Sequence, residues 1–132
     1  MVSSRRALFA VAAVIGAVAL SGAALAQSAS TPTAGSPERK AIMDAMRAKG
    51  NDQNRVLVVQ RLRMANGWAW LDAEPQSRDG LNRYEAESAL LRRTGSRWAV
   101  VDQPCSEESC NQRNELRRIR AAFPGAPASI FP

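Results

Sequence analysis

The stretch RVLVVQRLRMANGWAWLDAEP, from Arg55 to Pro75, carries the clearest structural signal in this chain. Two runs rich in β-branched and aromatic residues flank Asn66-Gly67, a dipeptide that in this setting strongly indicates a β-hairpin. A two-residue turn fixes the register, because each further pair is found by counting outward from it. The predicted pairs are Ala65 with Trp68, Met64 with Ala69, Arg63 with Trp70, Leu62 with Leu71, Arg61 with Asp72, and Val59 with Glu74.

Side chains alternate between the two faces of a strand, so this register gives the hairpin a core face and a mixed face. The predicted core face holds Val56, Val58, Leu62, Met64, Ala69, Leu71 and Ala73. The mixed face carries Asp72, Glu74 and the candidate binding residues Trp68, Trp70, Arg61 and Arg63, where a guanidinium can stack on an indole or pair with a carboxylate. Alternatively, both tryptophans are structural and are covered by the linker, by a helix or by a second copy of the chain.

The rest of the chain predicts two helices and a second hairpin. Ser36-Pro37 is typical of a helix start, and Gly50 ends that helix after about three turns. Strands are expected at Tyr84–Arg93 and Arg97–Asp102 around Thr94-Gly95-Ser96, although YEAESALLRR alone also suits a helix. A last helix is expected to begin near Ser106 and to end before Pro124.

This order predicts an α+β fold with an N-terminal helix, a four-stranded antiparallel meander and a C-terminal helix. Both helices are expected against one face of the sheet.

The N-terminus has the features of a secretory signal peptide. Arg5 and Arg6 precede an apolar run from Ala7 to Leu20, and small residues lead to a cleavage site after Ala26. A permanent anchor is the alternative, but the apolar run is shorter than the roughly 20 residues that span a bilayer. We therefore predict a signal peptide at 1–26, a flexible linker at 27–36, one small domain at 37–132, and a periplasmic or secreted protein.

The charge distribution limits the classes of partner that this protein is expected to bind. Cleavage removes two arginines, so the net charge falls from +6 to +4, and the remaining basic residues are interleaved with acids. Nucleic-acid binders usually concentrate their basic residues, so no nucleic-acid partner is expected. A protein or an anionic envelope polymer is the expected partner, with a homodimer as a further alternative and no stable membrane insertion after cleavage.

Two cysteines and no histidine limit the chemistry of sites. Cys105 and Cys110 are expected to form a disulfide in an oxidising compartment, tying the end of the fourth strand to the start of the last helix. Neither a metal site nor a cofactor is expected, because two thiols would need carboxylates to complete a zinc site.

Enzyme motifs are missing from the sequence. It has no histidine base, no G-x-S-x-G elbow and no phosphate-binding glycine loop. Asp72 with Glu74, and Glu85 with Glu87, could each be read as paired carboxylates, but salt bridges to neighbouring arginines are the simpler interpretation. No catalytic residue is assigned, and the protein is predicted not to be an enzyme.

The runs VVQRLRMANGWAWLDAEPQ and LLRRTGSRWAVVDQ, with the cysteine-bearing C-terminal helix, resemble small secreted proteins of proteobacteria that have no assigned function. The layout is also similar to a reduced cystatin-like or NTF2-like fold, in which a curved sheet packs on helices. Neither resemblance implies catalytic residues.

Three functional interpretations follow from the sequence. The first is a binding or protein-interaction module that uses the tryptophan and arginine residues of the hairpin. The second is an inhibitor or immunity-type protein that acts on an envelope enzyme. The third is an NTF2-like enzyme or carrier, which would need a deep pocket between the sheet and the helices.

Overall fold

A computed structural model describes residues 28–132. The predicted signal peptide lies outside the described residues. The elements, in chain order, are α1 (Pro37–Gly50), β1 (Val56–Ala65), β2 (Trp68–Gln76), β3 (Glu87–Thr94), β4 (Arg97–Asp102), α2 (Gln112–Ala122) and a short 3-10 helix (Ala128–Ile130). The four strands form one antiparallel sheet in sequence order, which confirms the α+β class and the meander.

The first hairpin closes at the predicted turn. Asn66 and Gly67 have φ angles of 52° and 75°, as a primed two-residue turn requires, and the predicted pairs from Ala65–Trp68 to Arg61–Asp72 are all present. Beyond them the prediction is wrong, because the register shifts between Val59 and Arg61 and sets Val59 opposite Ala73. One residue, Gln60, is inserted there as a β-bulge.

The bulge reverses the faces of the first half of β1. Leu57 is buried and Val59 packs against the core, whereas Val56 and Val58 are exposed. The prediction that Val56 and Val58 belong to the core face is therefore wrong, since an inserted residue moves every preceding side chain to the opposite face.

The two helical regions lie on opposite faces of the sheet, and not on one face as predicted. On one face α1 forms a first core that includes Ile42, Met46, Leu71 and Leu91. On the other face α2 and the C-terminal segment form a second core. Both faces of β2 and β3 are apolar at the centre, so each must be covered to remove its apolar surface from water. The members of the second core are Ala29, Ala65, Trp68, Trp70, Leu90, Ile119, Ala126, Ile130 and Phe131, with Leu116 and Phe123 at its edge.

The start of α1 follows the sequence prediction, whereas its C-cap is Asn51 and not Gly50. The Ser36 hydroxyl accepts a hydrogen bond from the Arg39 N–H at 3.2 Å, and Pro37 opens the helix. Asn51 then adopts a left-handed conformation with φ 51° and ends it. The helix spans Pro37–Gly50, and its buried residues are Ile42, Met43 and Met46.

The last helix begins later than predicted. Asn111 caps α2 by accepting a hydrogen bond from the Asn114 N–H, so the helix starts at Gln112 and not near Ser106. The predicted disulfide between Cys105 and Cys110 is present. Residues five apart in an α-helix point about 140° away from each other, so this disulfide loop cannot be part of a helix. The disulfide does join the residues after β4 to the residues before α2.

The second hairpin is made of strands, and its first strand is shorter than predicted. β3 begins at Glu87 and not at Tyr84, and only an isolated bridge between Arg83 and Gln76 precedes it.

The segment before α1 lies along the edge of the sheet. Ser30 exchanges two backbone hydrogen bonds with Met64, at 2.8 and 2.7 Å, and the Thr31 hydroxyl donates to the Leu62 carbonyl. The described part of the predicted flexible linker is thus held against β1. Neither helix within residues 28–132 is long and apolar enough to cross a membrane.

Candidate functional site

The two candidate tryptophans lie in the second core. Trp68 is 8% exposed and Trp70 is 1% exposed. Phe123 packs edge-on against Trp68 at 5.9 Å between ring centroids, and Phe131 covers Trp70 at 5.3 Å. Both rings are therefore placed as in the alternative that the tryptophans are structural and covered by another segment. The covering segments are α2 and the residues that follow it.

The two candidate arginines hold the terminal segments onto the sheet. Arg61 Nη2 donates to the Phe131 carbonyl at 2.9 Å, and Arg63 Nη2 donates to the Ala29 carbonyl at 2.8 Å. Both side chains are half-buried. Arg61 lies opposite Asp72 in the register but forms no ion pair with it, so the predicted cross-strand pair is not made.

Two further arginines rest on aromatic rings of the same core. The Arg92 guanidinium lies 5.0 Å from the centroid of the Trp68 ring, and that of Arg120 lies 5.6 Å from the Phe131 ring. Both side chains are exposed. A cation over an aromatic face is attracted by the ring quadrupole, so each guanidinium has a preferred position.

We call Arg61, Arg63, Arg92 and Arg120 the arginine face, because each contacts a residue of the second core. Across residues 28–132, none of the four forms an ion pair. The arginine face is therefore a positively charged surface whose guanidinium groups are positioned by the protein itself.

Nearby carboxylates on this side of the sheet are engaged by other residues. Asp72 Oδ1 accepts hydrogen bonds from Trp70 Nε1 at 2.9 Å and from the Ser88 hydroxyl at 2.6 Å. Glu74 pairs with Arg83, and Asp102 pairs with Arg118 at 2.9 Å. These contacts leave the arginine face without a charge partner of its own.

Several charged side chains on the α1 side of the sheet are paired with one another. Glu38 Oε1 accepts from both Arg93 Nη1 and Trp98 Nε1 at 3.1 Å. Arg55 and Glu87 approach to 3.0 Å with both side chains largely buried, although their atoms are not aligned as a hydrogen bond. Arg39 and Lys49 of α1 form no ion pair within residues 28–132, so unpaired cations are present on both sides of the sheet.

Two cavities lie away from the arginine face. A groove of about 630 Å³ at the turn end of the sheet is lined by Glu38, Arg93 and Trp98, together with both hairpin turns.

An acidic cleft of about 550 Å³ lies between the start of β3 and the disulfide loop, and Glu85 and Glu87 line it. Burial raises the pKa of Glu87, and the charge of Arg55 opposes that rise. The ion pair with Arg55 agrees with the salt-bridge interpretation of Glu87. Glu85 forms no ion pair within residues 28–132, so the two carboxylates have different surroundings.

The disulfide loop contains the one group of potential metal ligands found in residues 28–132, namely Cys105, Glu107 and Cys110. The two sulfur atoms are joined to each other, so no thiolate is available as a ligand.

Arg92 and Arg120 were not identified as site residues from the sequence. Arg92 lies directly opposite Trp68 in the pairing of β2 with β3. Ten residues separate these strands, so counting from a tight turn cannot give that register. Arg120 meets Phe131 through a C-terminal segment that has no periodic pattern, and the sequence offers no signal for that contact.

No protein-family model, functionally curated protein or solved structure matches this chain.

Proposed function

We propose that this protein is an exported, non-enzymatic binding module that attaches to an anionic protein or envelope polymer through its arginine face. The observation that carries the proposal is a set of four arginines that contact one core and form no ion pair with any residue of 28–132. Export rests on the signal-peptide features of residues 1–26. The non-enzymatic role rests on the lack of catalytic motifs in the sequence.

Electrostatics supports an anionic partner. Like charges on one surface raise the local concentration of oppositely charged molecules and speed their association. Single exposed ion pairs contribute only about 0–1 kcal/mol, so several arginines must act together. Salt screens such contacts over a Debye length of about 8 Å at physiological ionic strength. Binding through the arginine face should therefore weaken as salt increases.

The test compares two double variants that remove the same charge from different surfaces. R92Q/R120Q removes the two exposed arginines of the arginine face, whereas R78Q/K49Q removes two exposed cations that lie elsewhere. Binding to immobilised poly-L-glutamate and to immobilised heparin is measured at increasing NaCl concentration. We expect R92Q/R120Q to lower affinity for at least one of these probes by about tenfold, and R78Q/K49Q to change it by less than about twofold.

The proposal fails if wild-type protein binds neither probe at low salt. It fails equally if the two double variants weaken binding to the same extent, because net charge alone would then account for the interaction. Circular dichroism of both variants shows whether they are folded.

A further inference from the structure

We infer that the partner of the arginine face is a folded protein that presents surface carboxylates, and that Arg92 and Arg120 are the anchors that recognise them. This inference rests on the proposed function and names the partner class for the same surface. Its support is the way in which each guanidinium is held.

Preorganised guanidinium groups favour a partner with fixed geometry. Arg92 and Arg120 lie over aromatic rings, and Arg61 and Arg63 are bound to backbone carbonyls. A side chain that is already ordered loses less conformational freedom on binding. A flexible polymer gains little from such fixed positions, whereas a rigid carboxylate can accept two parallel hydrogen bonds from a correctly oriented guanidinium.

The aromatic rings beneath the arginines argue against a membrane surface. Interfacial segments insert exposed apolar side chains among the lipid headgroups. The rings of Trp68, Trp70 and Phe131, which lie beneath the arginine face, are buried in the second core and cannot insert into a bilayer. The same burial leaves no ring of these three free to stack on a nucleic-acid base.

The surroundings of the anchors resemble the centre of a protein interface. Arginine and aromatic residues are enriched among the residues that dominate the binding energy of protein complexes. Here the aromatic residues supply the rigid support, and the exposed arginines supply the directional donors. Arg92 and Arg120 are the exposed members of the arginine face, so they are the ones a partner reaches first.

Charge-conserving substitutions separate recognition by geometry from attraction by charge. R92K/R120K keeps both charges but removes the planar donor pair and weakens stacking on the ring. The matched control is R97K/R113K, because Arg97 and Arg113 are exposed and no aromatic or hydrogen-bond contact holds them within the described residues. Both variants are measured in 150 mM NaCl against immobilised ovalbumin, a folded acidic protein, and against poly-L-glutamate as the flexible comparison. They are also measured against vesicles of phosphatidylcholine containing 30% phosphatidylglycerol.

We expect R92K/R120K to bind ovalbumin about fivefold more weakly than wild type but to bind poly-L-glutamate within about twofold of it. R97K/R113K should stay within about twofold of wild type on both, and no protein should sediment with the vesicles. An equal loss of affinity for ovalbumin and for poly-L-glutamate would overturn the choice of a folded partner. Equal binding by all three proteins would overturn the inference while leaving the proposed function intact, provided that R92Q/R120Q still weakens binding. Sedimentation of wild type with the vesicles would overturn it in favour of a lipid surface. Equal binding by R92Q/R120Q and wild type would instead remove the proposed function itself.

Discussion

Trp70 and Leu71 are neighbours in β2, yet their side chains belong to different cores. Leu71 packs under α1 and is fully buried, whereas Trp70 lies under Phe131 and is 1% exposed. Trp70 also donates a hydrogen bond from its indole to Asp72. Each residue therefore has the surroundings of a core side chain, and neither has the exposure of a surface residue.

We predict that Trp70→Ala and Leu71→Ala destabilise the fold to a similar degree, by about 3–5 and 2–5 kcal/mol, because each leaves a cavity in a core. Leu81→Ala is the control, since Leu81 is 82% exposed, and it should change the free energy of unfolding by less than about 0.5 kcal/mol. Urea denaturation measures all three. A Trp70→Ala variant as stable as wild type would show that the second core contributes little to folding.

At this scale the sequence predicts the hairpin well near its turn and poorly beyond Gln60. Asn66-Gly67 fixes the five nearest pairs because a two-residue turn leaves no freedom of register. Val56, Leu57, Val58 and Val59 are all apolar, so alternation cannot show which of them face the core once a residue is inserted. The bulge itself has no signature in the sequence.

The attachment of α2 depends on a small network of charges. Glu115 Oε2 accepts a hydrogen bond from the Cys105 N–H at 3.0 Å and another from Arg118 Nη2 at 3.1 Å. Arg118 also pairs with Asp102 at the end of β4. The network joins the helix to the disulfide loop and to the last strand.

This network predicts a loss of stability in acid. The hydrogen bond from Cys105, followed by that from Arg118, holds the pKa of Glu115 below its ordinary value of 4.5. A carboxylate with a lowered pKa stabilises the fold above its unfolded pKa, and this contribution is lost as pH falls through the folded pKa. We expect Glu115→Gln to lower the urea midpoint at pH 7, with the difference from wild type shrinking once the pH is below 4.5.

Glu108→Gln is the matched control for charge, because Glu108 is exposed and forms no ion pair within the described part of the chain. It should leave the pH dependence of the midpoint unchanged. If wild type and Glu115→Gln lost the same stability between pH 7 and pH 3, the network would not hold α2 in the way described.

At the level of elements, the sequence predicts which segments are regular but not which face each one covers. Ser36 and Pro37 mark the start of α1 because N-caps are local features, and Gly50 is its last residue before the Asn51 cap. The side of the sheet that a helix occupies depends on contacts between distant residues, as between Trp70 and Phe131. The segment after α2 supplies Ile130 and Phe131 to the second core without any periodicity that would predict it.

The whole molecule is a sheet covered on both faces, which raises the question of whether it unfolds as one unit. The strand residues of the second core are covered by α2, by the residues after it and by Ala29 before α1, so the cover comes from both ends of the domain. Terminal segments often open separately when few buried contacts hold them. Here Ile130 is fully buried, Phe131 is bonded by Arg61, and Ser30 pairs with Met64. We therefore expect both layers to unfold together with the sheet.

Substitutions that remove one methyl group from each core test whether both layers unfold together with the sheet. Ile42 and Ile130 are both fully buried on opposite faces of the sheet, so Ile42→Val and Ile130→Val should each cost about 0.5–1.5 kcal/mol. The double variant should lose the sum of the two single losses to within about 0.5 kcal/mol, because the two sites share no partners.

Tryptophan fluorescence supplies separate probes, since Trp98 lies in the first core and Trp68 and Trp70 lie in the second. In urea, W98F and W68F/W70F variants should report two-state curves, and Ile130→Val should shift the midpoint in both backgrounds. A second core that melts at lower urea than the first, or an Ile130→Val change that moves only the signal of Trp68 and Trp70, would mean that the terminal layer opens on its own. In that case the aromatic support beneath Arg92 and Arg120 would also be only intermittently formed, and charge-conserving substitutions there would lose their expected effect on binding.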